Sequence, residues 1–133
     1  MATSKPDLPT LSEVQLEIME IVWAGREVTV TGVWEILSQR RQVARNTVLT
    51  LMDRLEKKGW LTRRAEGQTH FYKAAAPRAA TLRNVVHRLV DAAFAGSAEG
   101  LVLALLEGRG VSDEEALKIR QLIDNAQSKR KKS

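Results

Sequence analysis

The chain has no cysteine. That excludes a disulfide framework and any thiolate metal site, and it suits a reducing compartment. Histidine is scarce: only His70 and His87, well separated. No His-Glu-Xaa-Xaa-His, no Gly-Xaa-Ser-Xaa-Gly and no phosphate-cradling glycine loop accompanies them, so no zinc or nucleophilic constellation can be assembled. Aromatic residues are few, with three tryptophans, two phenylalanines and one tyrosine. A platform for single-stranded nucleic acid needs several exposed ones, and Trp60, Phe71 and Tyr72 are expected in the core instead. No apolar run approaches the about 18 residues that suggest a membrane span. The opening MATSKPDLPT lacks the apolar segment of a secretory signal. These absences predict a cytosolic protein with no membrane partner, no metal, no cofactor and no catalytic activity.

What is present is positive charge, and its distribution matters more than its total. The net charge is +5 over 133 residues, a length that buries roughly two-thirds of its unfolded surface and supports a real core. Arg40, Arg41, Arg45, Arg54, Lys57, Lys58, Arg63 and Arg64 crowd one stretch, against Asp53 and Glu56. Between Ser97 and Asp124 the balance is acidic. A basic cluster on one segment points to a polyanionic partner.

That segment, 43–73, has its own internal logic. Val48, Leu51, Met52 and Leu55 recur on one helical stripe, while Arg45, Asn46, Thr50, Asp53, Arg54 and Lys57 lie opposite, with Leu49 apolar among them. Lys57 and Lys58 suit the negative end of the helix, and Gly59 suits its stop. Residues 60–64 and 69–73 then flank Ala65-Glu66-Gly67-Gln68 as a hairpin. A half-buried helix followed at once by a basic hairpin is the recognition helix and wing of a winged helix-turn-helix.

The flanking chain agrees. Residues 1–9 hold two prolines and predict a disordered lead-in. Ser12 opens the first helix with Gln15 as its capping-box partner. Val14, Ile18, Ile21 and Val22 form its stripe, and Gly25 its end. A second helix starts near Thr29 or Thr31 and carries Val30, Val33, Ile36 and Leu37. Only a few residues separate it from the third, and Ala44 is a poor cap for that third helix. The expected winged helix-turn-helix spans 10–75.

A helical domain is expected over 76–127. Leu82, Val85, Val86, Leu89, Val90 and Phe94 line a long helix, Leu101–Leu106 form a short apolar one, and Leu117, Ile119, Leu122 and Ile123 line the last. Ser112 with Glu115 reads as a second capping box. These helices carry more apolar surface than they can cover among themselves. At about 25 cal/mol per Å² its burial favours pairing with a second copy; folding back on the N-terminal domain is the alternative. Leu82, Val85, Val86, Leu89, Leu101, Leu105 and Leu122 are the expected dimer contacts. The basic tail, 128–133, is expected to be disordered. The predicted class is mainly α, a winged helix-turn-helix plus a C-terminal helical dimerisation domain.

Three stretches together resemble one family. Leu11 with Ile18-Met19, the Thr47-Val48-Xaa-Thr50-Leu51…Arg54-Leu55-Xaa-Lys57-Lys58-Gly59 run, and Tyr72-Xaa-Ala74 look like the BlaI/MecI/CopY family of penicillinase-type repressors. The likeness runs from about residue 8 to 126. It implies a homodimer that occupies operator DNA and blocks transcription, with a sensor-controlled protease as a further partner. Copper-responsive members carry a cysteine motif that is absent here. The β-lactam-responsive members are cleaved at an Asn-Phe bond; the matching position reads Ala104-Leu105. The Ser-Pro that opens their recognition helix is Ala44-Arg45 here.

A helix in the major groove presents its N-terminal turns to the bases. Arg45, Asn46, Leu49 and Thr50 are therefore the expected base readers. Thr47 and Arg54 are expected on phosphates. Arg63, Arg64, Gln68 and His70 lie on the wing. Adjacent strand residues point to opposite faces, and Arg64 is the expected phosphate contact of the two arginines. A protein-interaction module is the alternative class, and duplex RNA is disfavoured because its deep groove excludes a helix.

Overall fold

The computed structural model describes residues 10–132, so the lead-in expected over 1–9 lies outside the described residues. Six helices and a three-stranded antiparallel sheet follow one another as α1 (Glu13–Gly25), β1 (Glu27–Val28), α2 (Val30–Leu37), α3 (Arg45–Lys57), β2 (Leu61–Glu66), β3 (Thr69–Ala74), α4 (Arg78–Phe94), α5 (Ala98–Glu107) and α6 (Asp113–Lys132). The strand order is β1-β3-β2.

The start of α1 is built as its sequence predicts. Gln15 N–H donates to Ser12 Oγ at 3.2 Å, and Ser12 N–H donates to Gln15 Oε1 at 2.9 Å. Its end differs. Gly25 stays helical, and Arg26 takes the positive φ, at +67° with ψ −72°, the geometry of a tight γ-turn. Gly25 is needed for space instead: a Cβ there would come within 2.7 Å of Val28 Cγ1. β1, two residues long, pairs Glu27 with Lys73 and Val28 with Tyr72. It turns the expected two-stranded hairpin into a three-stranded sheet; so short a strand leaves no alternation to read. The hairpin turn is also tighter than expected. Ala65 and Glu66 belong to β2, and only Gly67 and Gln68 connect Glu66 to Thr69, with Gly67 at φ +62°.

The core joins Ile18, Met19, Ile21 and Val22 of α1 to Val30, Val33 and Leu37 of α2 and Val48, Met52 and Leu55 of α3. Trp60, Leu61 and Tyr72 of the sheet region close it. Ile36, one of the apolar positions of α2, is exposed. Phe71, expected inside, is only partly buried, at a pocket that it lines with Ile21, Val28 and Ile36.

The chain divides into two compact units, one ending at Val86 and the other beginning at His87. The first reaches past the expected boundary at residue 75. Trp23 Nε1–H donates to the Ala76 carbonyl at 2.9 Å, and Arg78 pairs with Glu20 at 2.8 Å. Thr81 is buried, its hydroxyl on the Pro77 carbonyl. The opening turns of α4 thus pack with α1.

In the second unit Ser97 caps α5 by accepting from Gly100 N–H at 2.9 Å. Ser112 accepts from Glu115 N–H at 3.0 Å, while the Glu115 carboxylate pairs with Arg109 at 3.9 Å. The helix that follows continues through Lys132, where a disordered tail was expected. Residues 128–132 contain no glycine or proline to break it, and basic side chains suit a helix C-terminus. No single helix among the described residues is long and apolar enough to cross a membrane.

Candidate nucleic-acid interface

The burial of Val48, Met52 and Leu55 fixes the rotation of α3. At about 100° per residue, that leaves Asn46, Thr50 and Asp53 opposite the core. Thr47, Leu51 and Arg54 fall to one side and Arg45 to the other, beside α2. Asn46, Thr47, Thr50, Leu51 and Arg54 line one shallow groove. Asn46, Thr50 and Arg54 are exposed and make no side-chain hydrogen bond or ion pair among the described residues. Leu49 is exposed too, an apolar side chain on a polar face. The acid on this face, Asp53, is matched by Lys57 at 3.1 Å.

Ala44 contributes no side-chain cap to α3, as its type predicts. The turn before it is held from elsewhere. Trp34 Nε1–H donates to the Val43 carbonyl at 2.9 Å. Arg41 pairs with Glu17 at 2.9 Å and Glu13 at 3.4 Å; the Glu17 carboxylate, followed by that of Glu13, raises the Arg41 guanidinium above its ordinary pKa. Arg45 Nε–H donates to Thr31 Oγ1 at 2.8 Å. None of these partners announces itself in the sequence, because each lies on another element.

The wing separates its two arginines by face. Leu61 and Tyr72 point into the core, and Arg63, which registers with Tyr72, shares their side with Ala65 and His70. Arg63 lies beyond the core edge, exposed and without a hydrogen bond or ion pair among the described residues. Arg64 is on the other side. Its Nε donates to Glu27 Oε2 at 2.8 Å, its Nη2 to Glu27 Oε1 at 3.0 Å and its Nη1 to Glu66 Oε2 at 3.1 Å. The guanidinium carbon stands 4.7 Å from the Phe71 ring centroid. Hydrogen bonds to Glu27 and then Glu66 push the Arg64 pKa further up, and the same bond holds the Glu27 carboxyl below the usual carboxylate range. Arg64, expected on phosphate, is therefore engaged within the protein. Gln68 and His70 are exposed at and beside the turn.

The expected dimer contacts are only partly covered in the single chain. Val86, Leu89, Leu105 and Leu122 are exposed, while Leu82, Val85 and Leu101 are half-buried. Ala104 and Leu105 sit inside α5, so the peptide bond between them is helical.

Comparison with known proteins agrees with this geometry. The family profile described as penicillinase repressor matches residues 11–125. The penicillinase repressor of Bacillus licheniformis is 25% identical over 124 residues, covering 93% of this chain and 97% of its own. The transcriptional regulator BlaI of Mycobacterium tuberculosis is 29% identical over 113 residues, covering 84% and 82%. Among solved structures, the DNA-binding domain of the repressor BlaI superposes with a TM-score of 0.50 at 27% identity, over 56% of this chain and 90% of that one. MarR from Escherichia coli shares the fold over 87% of this chain, with a TM-score of 0.53 at 18% identity.

Proposed function

The chain belongs to the penicillinase repressor family, and from that premise we propose that it is a transcriptional repressor, a homodimer that binds a two-fold operator in double-stranded DNA. The observation that carries this reading is the outward face of α3. Asn46, Thr50 and Arg54 stand exposed and uncommitted there, over a helix whose other side is locked into the core. An α-helix fits the major groove, where Asn bonds adenine in a bidentate pair, Arg bonds guanine, and apolar groups meet the thymine methyl. Arg45, Asn46, Leu49 and Thr50 are assigned to bases on that ground. Thr47 and Arg54, at the edge of the same groove, are assigned to phosphates.

On the wing, we assign the phosphate contact to Arg63 in place of Arg64. A guanidinium already surrounded by two carboxylates and a ring has little left to offer a phosphate, and Glu27 and Glu66 would repel one. Arg63 has no such neighbours. Gln68 and His70 complete the wing surface.

The exposed apolar positions of α4, α5 and α6 support self-association. Leaving Leu89, Leu105, Leu117, Leu122 and Ile123 in water is unfavourable, and a second copy supplies the matching surface. Derepression by cutting at Ala104-Leu105 would require α5 to unwind first, since proteases favour exposed, extended loop tips over helices.

The test is selection of bound fragments from genomic DNA, followed by a gel shift on the enriched duplex and on random duplex. A consensus of two inverted half-sites, bound far more tightly than random sequence, is the expected result. Equal binding to both, or no retention at low salt, would refute DNA readout and leave a protein-docking role for the fold.

A further inference from the structure

Thr31 has no task in the architecture that its neighbours do not already perform. Thr29 caps α2, its hydroxyl accepting from Gly32 N–H at 3.0 Å. Val30 and Val33 supply the buried side of that helix. Thr31, between them and half-buried, instead receives the Nε–H of Arg45 at 2.8 Å across the helix-turn-helix. Arg45 is the first residue of α3, a helix whose cap position makes no side-chain bond.

We infer that Thr31 is a positioning residue for base readout, its hydroxyl fixing the edge that Arg45 presents to the groove. The inference rests on the reading of α3 as the groove helix and goes beyond it in naming how one contact is aimed. A guanidinium carries five N–H donors in a rigid plane. With Nε–H given to Thr31, the donors on Nη1 and Nη2 remain, and they lie on the far end of the side chain. That pair matches guanine O6 and N7 end-on. The support under it is firm. Trp34 holds the Val43 carbonyl, and Arg41 holds Glu17 and Glu13, so the backbone that carries Arg45 is tied to α1 and α2 on both sides.

An arginine released from Thr31 would have to be ordered at the moment of binding. Ordering one rotamer-rich side chain weakens an interface by about three- to tenfold. The experiment compares the wild type with Thr31→Val, Thr31→Ser, Arg45→Ala and the Thr31→Val/Arg45→Ala pair. Each is titrated against the duplex enriched from genomic DNA, its single base-pair variants and random duplex, and melting temperatures are measured in parallel. Arg45→Ala should lose discrimination at one base pair per half-site. Thr31→Val should lose about three- to tenfold at that same base pair, with random-duplex affinity and melting temperature unchanged. Thr31→Ser should restore it, and the double variant should be no worse than Arg45→Ala.

Full discrimination by Thr31→Val, beside a loss in Arg45→Ala, overturns the positioning role and leaves the reading of Arg45 standing. An equal loss by Thr31→Val on random duplex also overturns it, because the hydroxyl would then be serving the backbone or the fold. Full discrimination by Arg45→Ala removes the base contact itself, and the inference falls with it.

Discussion

Arg63 and Arg64 are adjacent, identical in type and opposite in surroundings, which makes their replacement a sharp test of the wing assignment. Each protein–phosphate contact contributes about 0.9 to the slope of log K against log salt on duplex DNA. A dimer that loses one such contact per subunit loses about 1.8 from that slope. Between 50 and 200 mM salt the wild type should therefore lose about tenfold more affinity than Arg63→Ala does. Arg64→Ala should leave the slope near the wild-type value. Its guanidinium serves Glu27, Glu66 and the Phe71 ring, so its removal should appear as a less stable wing. Glu27→Gln sharpens the comparison by weakening the bidentate pair while keeping the side-chain length. The assay is fluorescence anisotropy of a labelled duplex over a salt series, with thermal melts of each variant. A slope that flattens in Arg64→Ala and not in Arg63→Ala would refute the argument from strand face. So would a slope steeper by about 1.8 in Glu27→Gln, since it would show Arg64 ready to take a phosphate once released.

Three further outcomes are expected from other parts of the chain. Gly25→Ala should destabilise the first unit by about 1–3 kcal/mol in denaturant melts, the usual range for overpacking, because its Cβ would press on Val28 Cγ1 at 2.7 Å; an unchanged midpoint would show that β1 yields freely. The hydrogen bond from Arg78 holds the Glu20 carboxyl below its ordinary pKa. Its contribution to stability is then complete above the unfolded carboxylate value and is lost as pH falls through the folded one. Acid melts should accordingly show less pH dependence below the usual carboxylate range in Glu20→Gln than in wild type, and identical curves would remove the linkage. Leu89→Glu and Leu122→Glu should each shift sedimentation towards a single chain while a single half-site duplex is still bound, whereas unchanged sedimentation of both would place self-association elsewhere.

The helix α3 was legible in the sequence because its signal is periodic and local. Val48, Leu51, Met52 and Leu55 fall on one stripe whatever they pack against, and only Leu51 stays partly open. The Ser12 capping box is equally local, three residues from end to end, and both of its bonds are made. β1 was not legible. Two residues hold no alternation, and Glu27–Val28 became a strand only because β3 offered an edge. Gly25 misled for a related reason: a glycine at a helix end suggests a left-handed stop, but here the positive φ falls on Arg26 and glycine clears room for Val28. The last helix ran on through Lys132 because a basic, polar run lacks apolar periodicity yet contains no residue that ends a helix.

The site shows the same division between local and distant causes. Which residues face outward on α3 followed from its own spacing. Which of them are already occupied did not, since Thr31 lies fourteen residues before Arg45 and Glu27 thirty-seven before Arg64. Two arginines that read alike as free cations turn out to be held, one by a hydroxyl that leaves its far end open, the other by carboxylates that enclose it. A single hydroxyl acceptor orients a guanidinium without cancelling its charge. A bidentate carboxylate does both. On the proposed reading of α3, that difference suits Arg45 to base readout, aimed from behind, and makes Arg64 a brace of the sheet. It also leaves Arg63, which has no partner among the described residues, as a cation beside the hairpin turn with its charge uncommitted.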